Sequence, residues 1–123
     1  MATWDVVAEF LRSFKGAMDF EFFNFVSREK NLQGLLDLEM SINEAKEVIA
    51  SLTPDNYWHG PEPDHDFPEE GVWFFGADIR DTEVYIKLKL VQDARKKSVR
   101  WAKVLGFHPA EGTITYPLRR SEK

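Results

Sequence analysis

Three observations predict an α+β fold in which N-terminal helices pack on one face of a small antiparallel sheet. Apolar residues recur at helical spacing in the first half of the chain and alternate as in strands in the second. The sharpest alternation is 83–90, EVYIKLKL, with Val84, Ile86, Leu88 and Leu90 on one face and Tyr85, Lys87 and Lys89 on the other. Charge divides along the same line: residues 1–70 hold 5 Lys or Arg against 15 Asp or Glu, and residues 71–123 hold 11 against 6. The net charge of −5 therefore conceals a basic sheet region beside an acidic helical one, the pattern of one anion- or partner-binding surface on a soluble body. At 123 residues, 43% hydrophobic, a single domain (1–123) is expected, burying about two-thirds of its unfolded surface.

Thr3 can cap a first helix, with Asp5 in its first turn, an apolar stripe of Val6, Val7, Phe10, Leu11 and Phe14, and Gly16 as its stop. Phe20, Phe22, Phe23 and Phe25 read as a first strand with an irregularity. From Asn31, the pattern LQGLLDLEM predicts a short helix. Ser41 and Glu44 form a capping box ahead of Ala45, Val48, Ile49 and Leu52, which repeat at i, i+3, i+4 and i+7. Thr53 followed by Pro54 predicts a single turn through Asn56 and Tyr57. Prolines, glycines and carboxylates crowd 59–71, HGPEPDHDFPEEG, which reads as a loop. Val72 to Phe75 opens a strand, 77–82 is a polar connection, and 83–90 is the next strand. Residues 92–98 form a basic hairpin tip and 99–108 the returning strand, ended by Pro109. Alternation there puts Val99, Trp101, Lys103, Leu105 and Phe107 on one face and Arg100, Ala102, Val104, Gly106 and His108 on the other.

With no cysteine, neither a disulfide nor a cysteine metal site can form. The acidic start MATWDVVAEF lacks a secretory core, and no apolar run approaches membrane-spanning length, so the expectation is a cytoplasmic protein with no membrane contact. A Gly-rich phosphate loop, a nucleophile elbow and a paired-histidine metalloprotease helix are all missing, and no cofactor is expected.

The open sheet face, Tyr85, Lys87 and Lys89 with Arg100 and His108 on a neighbouring strand, carries the first chemical candidate. Cleaving RNA without a metal needs a base for the 2′-hydroxyl, a cation for the phosphorane and an acid for the departing 5′-oxygen. His108 is the best proton carrier of the set, because imidazole titrates near pH 6.5 and a phenol near 10. Tyr85 acts as a base only if adjacent lysines lower its pKa, and Lys87 is the natural clamp. Lys89, Arg100 and the tip residues Arg95, Lys96 and Lys97 would hold the RNA backbone. The bland alternative is a solvated strand whose lysines discourage edge pairing. A second candidate is the acidic loop, where His59, Asp64, His65 and Asp66 supply ligand types for a divalent metal, though without the spacing that puts both histidines on one ion. Clustered acids beside a basic patch could also hold that patch in an autoinhibited state. The aromatic set Trp73, Phe74, Phe75 and Trp101 could stack on bases, but at strand spacing such rings are more often core.

WFFG at 73–76, EVYIK at 83–87 and FHPAE at 107–111, preceded by the capped helix and YWHGPEPD, form an ordered set. Over residues 32–111 it resembles the MqsR-type toxins of bacterial type II toxin–antitoxin systems, which have a RelE-like fold. The resemblance implies a metal-independent endoribonuclease acting on mRNA and silenced by a cognate antitoxin protein. It matches Tyr85 and Lys87 to the tyrosine and lysine of the family's V-Y-[IL]-K strand. His108 stands where better described members place a catalytic lysine, His59 falls near a further family lysine, and Phe74 or Phe75 replaces a family glutamine. Two rivals remain: a non-catalytic protein- or RNA-binding module, and a metal-dependent hydrolase built on the acidic loop.

Overall fold

A computed structural model describes residues 1–120. Along the chain it contains α1 (Trp4–Asp19), β1 (Phe23–Phe25), α2 (Glu29–Leu38), α3 (Ile42–Ala50), a 3₁₀ turn (Pro54–Asn56), β2 (Tyr57–Pro63), β3 (Gly71–Ile79), β4 (Thr82–Gln92) and β5 (Arg100–Pro109). The five strands form one sheet in the order β1-β5-β4-β3-β2. Strands β2 to β5 are an antiparallel meander, and β1 lies parallel to β5, so the α+β sheet is mixed rather than wholly antiparallel.

Local signals explain the helices. The Thr3 hydroxyl accepts from the Val6 amide at 3.4 Å, and Ser41 and Glu44 exchange both bonds of their capping box, at 3.1 and 2.9 Å. Gly16 does not stop α1, which continues to Asp19 because Ala17 and Met18 beyond it are buried. That burial outweighs the roughly 1 kcal/mol that glycine costs inside a helix. One face of the sheet (Phe75, Ala77, Val84, Ile86, Leu88, Val104, Phe107) packs into a single core with Val7, Phe10 and Phe14 of α1 and Ala45 and Ile49 of α3. Phe10 stacks on Trp73 at 4.3 Å, so Trp73 and Phe75 are core rings while Phe74 faces the other way.

Two connections differ from the sequence expectation. The first half of 59–71 is strand: YWHGPEP pairs with β3 as an edge strand, where prolines are tolerated because no inner partner needs their missing N–H. In place of a polar connection at 77–82, β3 runs to Ile79 and turns tightly through Arg80 and Asp81, with φ of 49° and 67°. Two successive left-handed residues match the twist of a hairpin, and the Asp78 carboxylate steadies them by accepting from the Asp81 amide at 3.0 Å.

A bulge in β5 breaks the predicted alternation. Lys87 pairs with Gly106 but Leu88 with Val104, so Leu105 is an extra residue and the facing of the strand reverses across it. Ala102, Val104 and Phe107 therefore all reach the core, whereas Lys103, Gly106 and His108 share the open side with Lys89, Lys87 and Tyr85. Arg100 does not join them. It pairs with Gln92, on the helix side of the sheet, and lines a groove with Val6 and Phe10 of α1.

Among the described residues, the outer edge of β5 beyond Val104 has no strand partner, because β1 ends at Phe25. Asn31 of α2, 1% exposed, takes that place: its Nδ2 donates to the Leu105 and Val26 carbonyls, each at 3.0 Å, and its Oδ1 accepts from the Phe107 amide at 3.1 Å. Gly34 lets the helix approach, since a Cβ there would lie 2.6 Å from both the His108 Cβ and the Phe107 carbonyl oxygen.

Candidate active site

Because the β5 bulge reverses the strand, His108 faces Tyr85 directly across the β4–β5 ladder, and the two rings stack with centroids 4.9 Å apart. Gly106 makes room for the tyrosine, as a Cβ on it would sit 2.9 Å from Tyr85 Cε2 and 3.1 Å from Lys87 Cβ. The His108 Nδ1 lies 2.9 Å from the Pro109 carbonyl oxygen, which can only accept. That bond puts the proton of the neutral ring on Nδ1 and leaves Nε2 with a lone pair. Together with Lys30, Trp58, Glu111 and Ile114, the pair lines a cleft of about 290 Å³.

Burial pushes the Tyr85 phenol up from its ordinary value, with Glu111 adding to the effect and Arg28 opposing it. That direction is opposite to the lysine-lowered phenol a base would require, and it favours the hydroxyl form. Burial lowers the Lys87 ammonium, with Arg28 contributing and Asp64 opposing, and its Nζ stands 5.6 Å from the Phe74 ring centre. A band of rings continues outward from there: Phe74 stacks on His59 at 4.1 Å, and His59 Nδ1 pairs with Glu62 at 3.0 Å.

The remaining predicted contacts separate. Lys89 is not on an open surface: it is 6% exposed and held by Asp64 at 2.8 Å and Glu70 at 2.6 Å, with the Phe67 ring over its ammonium at 5.4 Å. Burial works against the Lys89 charge, but the hydrogen bonds it donates to Asp64 and Glu70 prevail and raise its pKa; the same ammonium pulls Asp64 down to about 2. The segment 64–70 thus folds onto the basic face at Lys89, whose strand partner Val72 is also buried. Arg95, Lys96 and Lys97 are exposed at the β4–β5 turn, roughly 25 Å along β4 from Tyr85 at the usual rise per residue. Trp101 is partly buried, edge-on to Phe22, and donates to Asp93 at 2.9 Å. Among the described residues no three His, Cys, Asp or Glu side chains gather as metal ligands: His59 turns to Glu62 and Asp64 to Lys89.

Four cleft or near-cleft residues went unread in the sequence: Arg28, Lys30, Trp58 and Glu111. Lys30 and Glu111 form an ion pair of 2.8 Å at the mouth of the cleft. The REK run at 28–30 and the glutamate of FHPAE were the available signals. No family model, curated protein or solved structure matches this chain. Among the described residues, no helix is long and apolar enough to cross a membrane.

Proposed function

We propose that this chain is a cytoplasmic, toxin-type endoribonuclease that cuts single-stranded regions of mRNA without a metal and is silenced by an antitoxin protein. One observation carries the reading: two of the three positions that the MqsR resemblance marks, Tyr85 and His108, are cross-strand partners in a cleft beside cationic side chains. A RelE-like arrangement belongs to the same proposal.

In this mechanism the lone pair on His108 Nε2 accepts the proton of the 2′-hydroxyl. The 2′-oxygen forms a bond to the adjacent phosphorus, the bond from phosphorus to the 5′-oxygen breaks, and the proton taken by His108 passes to that departing oxygen. Tyr85 remains protonated and donates to a phosphoryl oxygen, while Lys87 offsets the charge that builds on the phosphorane. The products are a 2′,3′-cyclic phosphate and a 5′-hydroxyl. Purified protein is expected to cut single-stranded RNA in the presence of chelator and leave those ends. A double variant, His108→Ala with Tyr85→Phe, that cuts as fast as wild type would refute the assignment. Induction that leaves cell growth untouched would favour the non-catalytic binding module.

A further inference from the structure

We infer that the cleft holds a single unstacked nucleobase against the indole of Trp58, making Trp58 the base-stacking residue of the site. The kind of ligand rests on the ribonuclease reading; the place rests on three features of β2 and the cleft. First, Trp58 is the extra residue of a bulge: Tyr57 pairs with Phe75 on the core side and His59 with Phe74 on the open side, two steps of β2 for one of β3. Bulges beside functional sites re-aim a side chain, and this one sets Trp58 into the cleft that Tyr85 and His108 line. Second, both ring neighbours of the indole meet it edge to face, His59 at 4.8 Å and 84° and Tyr85 at 6.4 Å and 82°. Those neighbours already have parallel partners, His59 on Phe74 and Tyr85 on His108, whereas among the described residues no ring lies parallel to Trp58. Third, the Lys30–Glu111 pair at the mouth is 57% and 68% exposed, so either partner can exchange the other for a ligand. An ammonium there can donate to a base carbonyl or ring nitrogen, and a carboxylate can accept from an exocyclic amine. At about 290 Å³ the cleft is at the small end of ligand sites, fitting one nucleotide unit rather than a run of them. A base anchored there sets its own sugar and phosphate beside the Tyr85–His108 pair.

The test titrates the full-length chain with a short mixed-sequence oligoribonucleotide methylated at every 2′-hydroxyl, which can bind but not be cut. Tryptophan emission is expected to fall on titration of the wild type. Trp58→Phe should abolish most of that fall while keeping affinity within about threefold, and Trp58→Ala should weaken binding about tenfold or more. An abasic strand of equal length should give no quench. Quenching that survives in Trp58→Phe, equal quenching by the abasic strand, or no binding at all overturns the inference. The two readings fail separately. A protein that cuts RNA without Trp58-dependent quenching loses the base site and keeps the reaction; one that quenches but never cuts keeps the base site and loses the reaction.

Discussion

Tyr85 and His108 stand opposite each other on β4 and β5, their rings 4.9 Å apart and 29° from parallel, so each limits the tilt of the other. For the proposed reaction, His108→Ala is expected to lower single-turnover cleavage by about a hundredfold or more. Tyr85→Phe keeps the stack and removes only the hydroxyl, and is expected to lower it by about tenfold. Cleavage assays with end-labelled RNA and chelator measure both; equal rates in all three proteins would reduce the pair to scaffold.

Gly106→Ala separates geometry from chemistry. The added methyl meets Tyr85 Cε2 at 2.9 Å, so the tyrosine must lift off β5 and away from His108. Overpacking of this kind costs about 1–3 kcal/mol. Cleavage should fall at least as far as in Tyr85→Phe while circular dichroism retains the folded signature. Full activity with a displaced Tyr85 would contradict the orienting role.

Lys87 and Lys89, two residues apart, are expected to behave differently. Lys87→Gln should flatten the dependence of RNA affinity on salt by about one released ion, because its ammonium faces the cleft side of the sheet. Lys89→Met should leave that slope unchanged and instead lower thermal stability, since Lys89 is already neutralised by Asp64 and Glu70. A salt slope that drops in Lys89→Met would mean that segment 64–70 opens when RNA binds.

The Asp64–Lys89 pair also sets an acid limit. With a folded value of about 2 against an ordinary 3.8, the Asp64 carboxyl stabilises the fold fully above about pH 4 and loses that contribution as pH falls towards 2. Lys89, raised, contributes below its ordinary 10.5 and loses its share as pH climbs through the folded value, so both terms are in force at neutral pH. Melting curves from pH 6 to 2 should fall steeply below 4 for wild type and more shallowly for Asp64→Asn, which starts lower. Parallel curves would show that the pair contributes nothing.

Asn31→Leu fills a similar volume but leaves the Leu105 carbonyl and the Phe107 amide without partners. The expected loss is about 2–4 kcal/mol by chemical denaturation, far above that of a surface substitution. A loss under about 0.5 kcal/mol would mean that water replaces the amide at this edge.

What could be read from residues alone was what is local. The capping box at Ser41 and Glu44, the turn at Thr53 and Pro54, and the core face of 83–90 depend on neighbours within a few positions. Pairing of His108 with Tyr85 was legible only by parity, and the same parity misplaced Arg100, because the bulge at Leu105 reverses the strand between them. Gly106 was the one hint, glycine inside a strand often marking such a break. Strand β2 was hidden by Pro61 and Pro63, which composition reads as loop and an edge strand accepts. The confinement of Lys89 had no local signal, for its partners Asp64 and Glu70 come from a separate stretch of chain that folds back over it.

The parallel pairing of Phe23–Phe25 with residues 102–104 carries a consequence for biosynthesis. β1 is synthesised before β5 and waits, with Phe25 uncovered, until β5 has followed. His108 lies later still on the chain, so a nascent chain that stops short of β5 lacks both the partner of β1 and the proposed proton carrier. Stalled chains ending before Arg100 are therefore expected to bind hydrophobic dye and to leave RNA intact, whereas chains that run through residue 120 do neither.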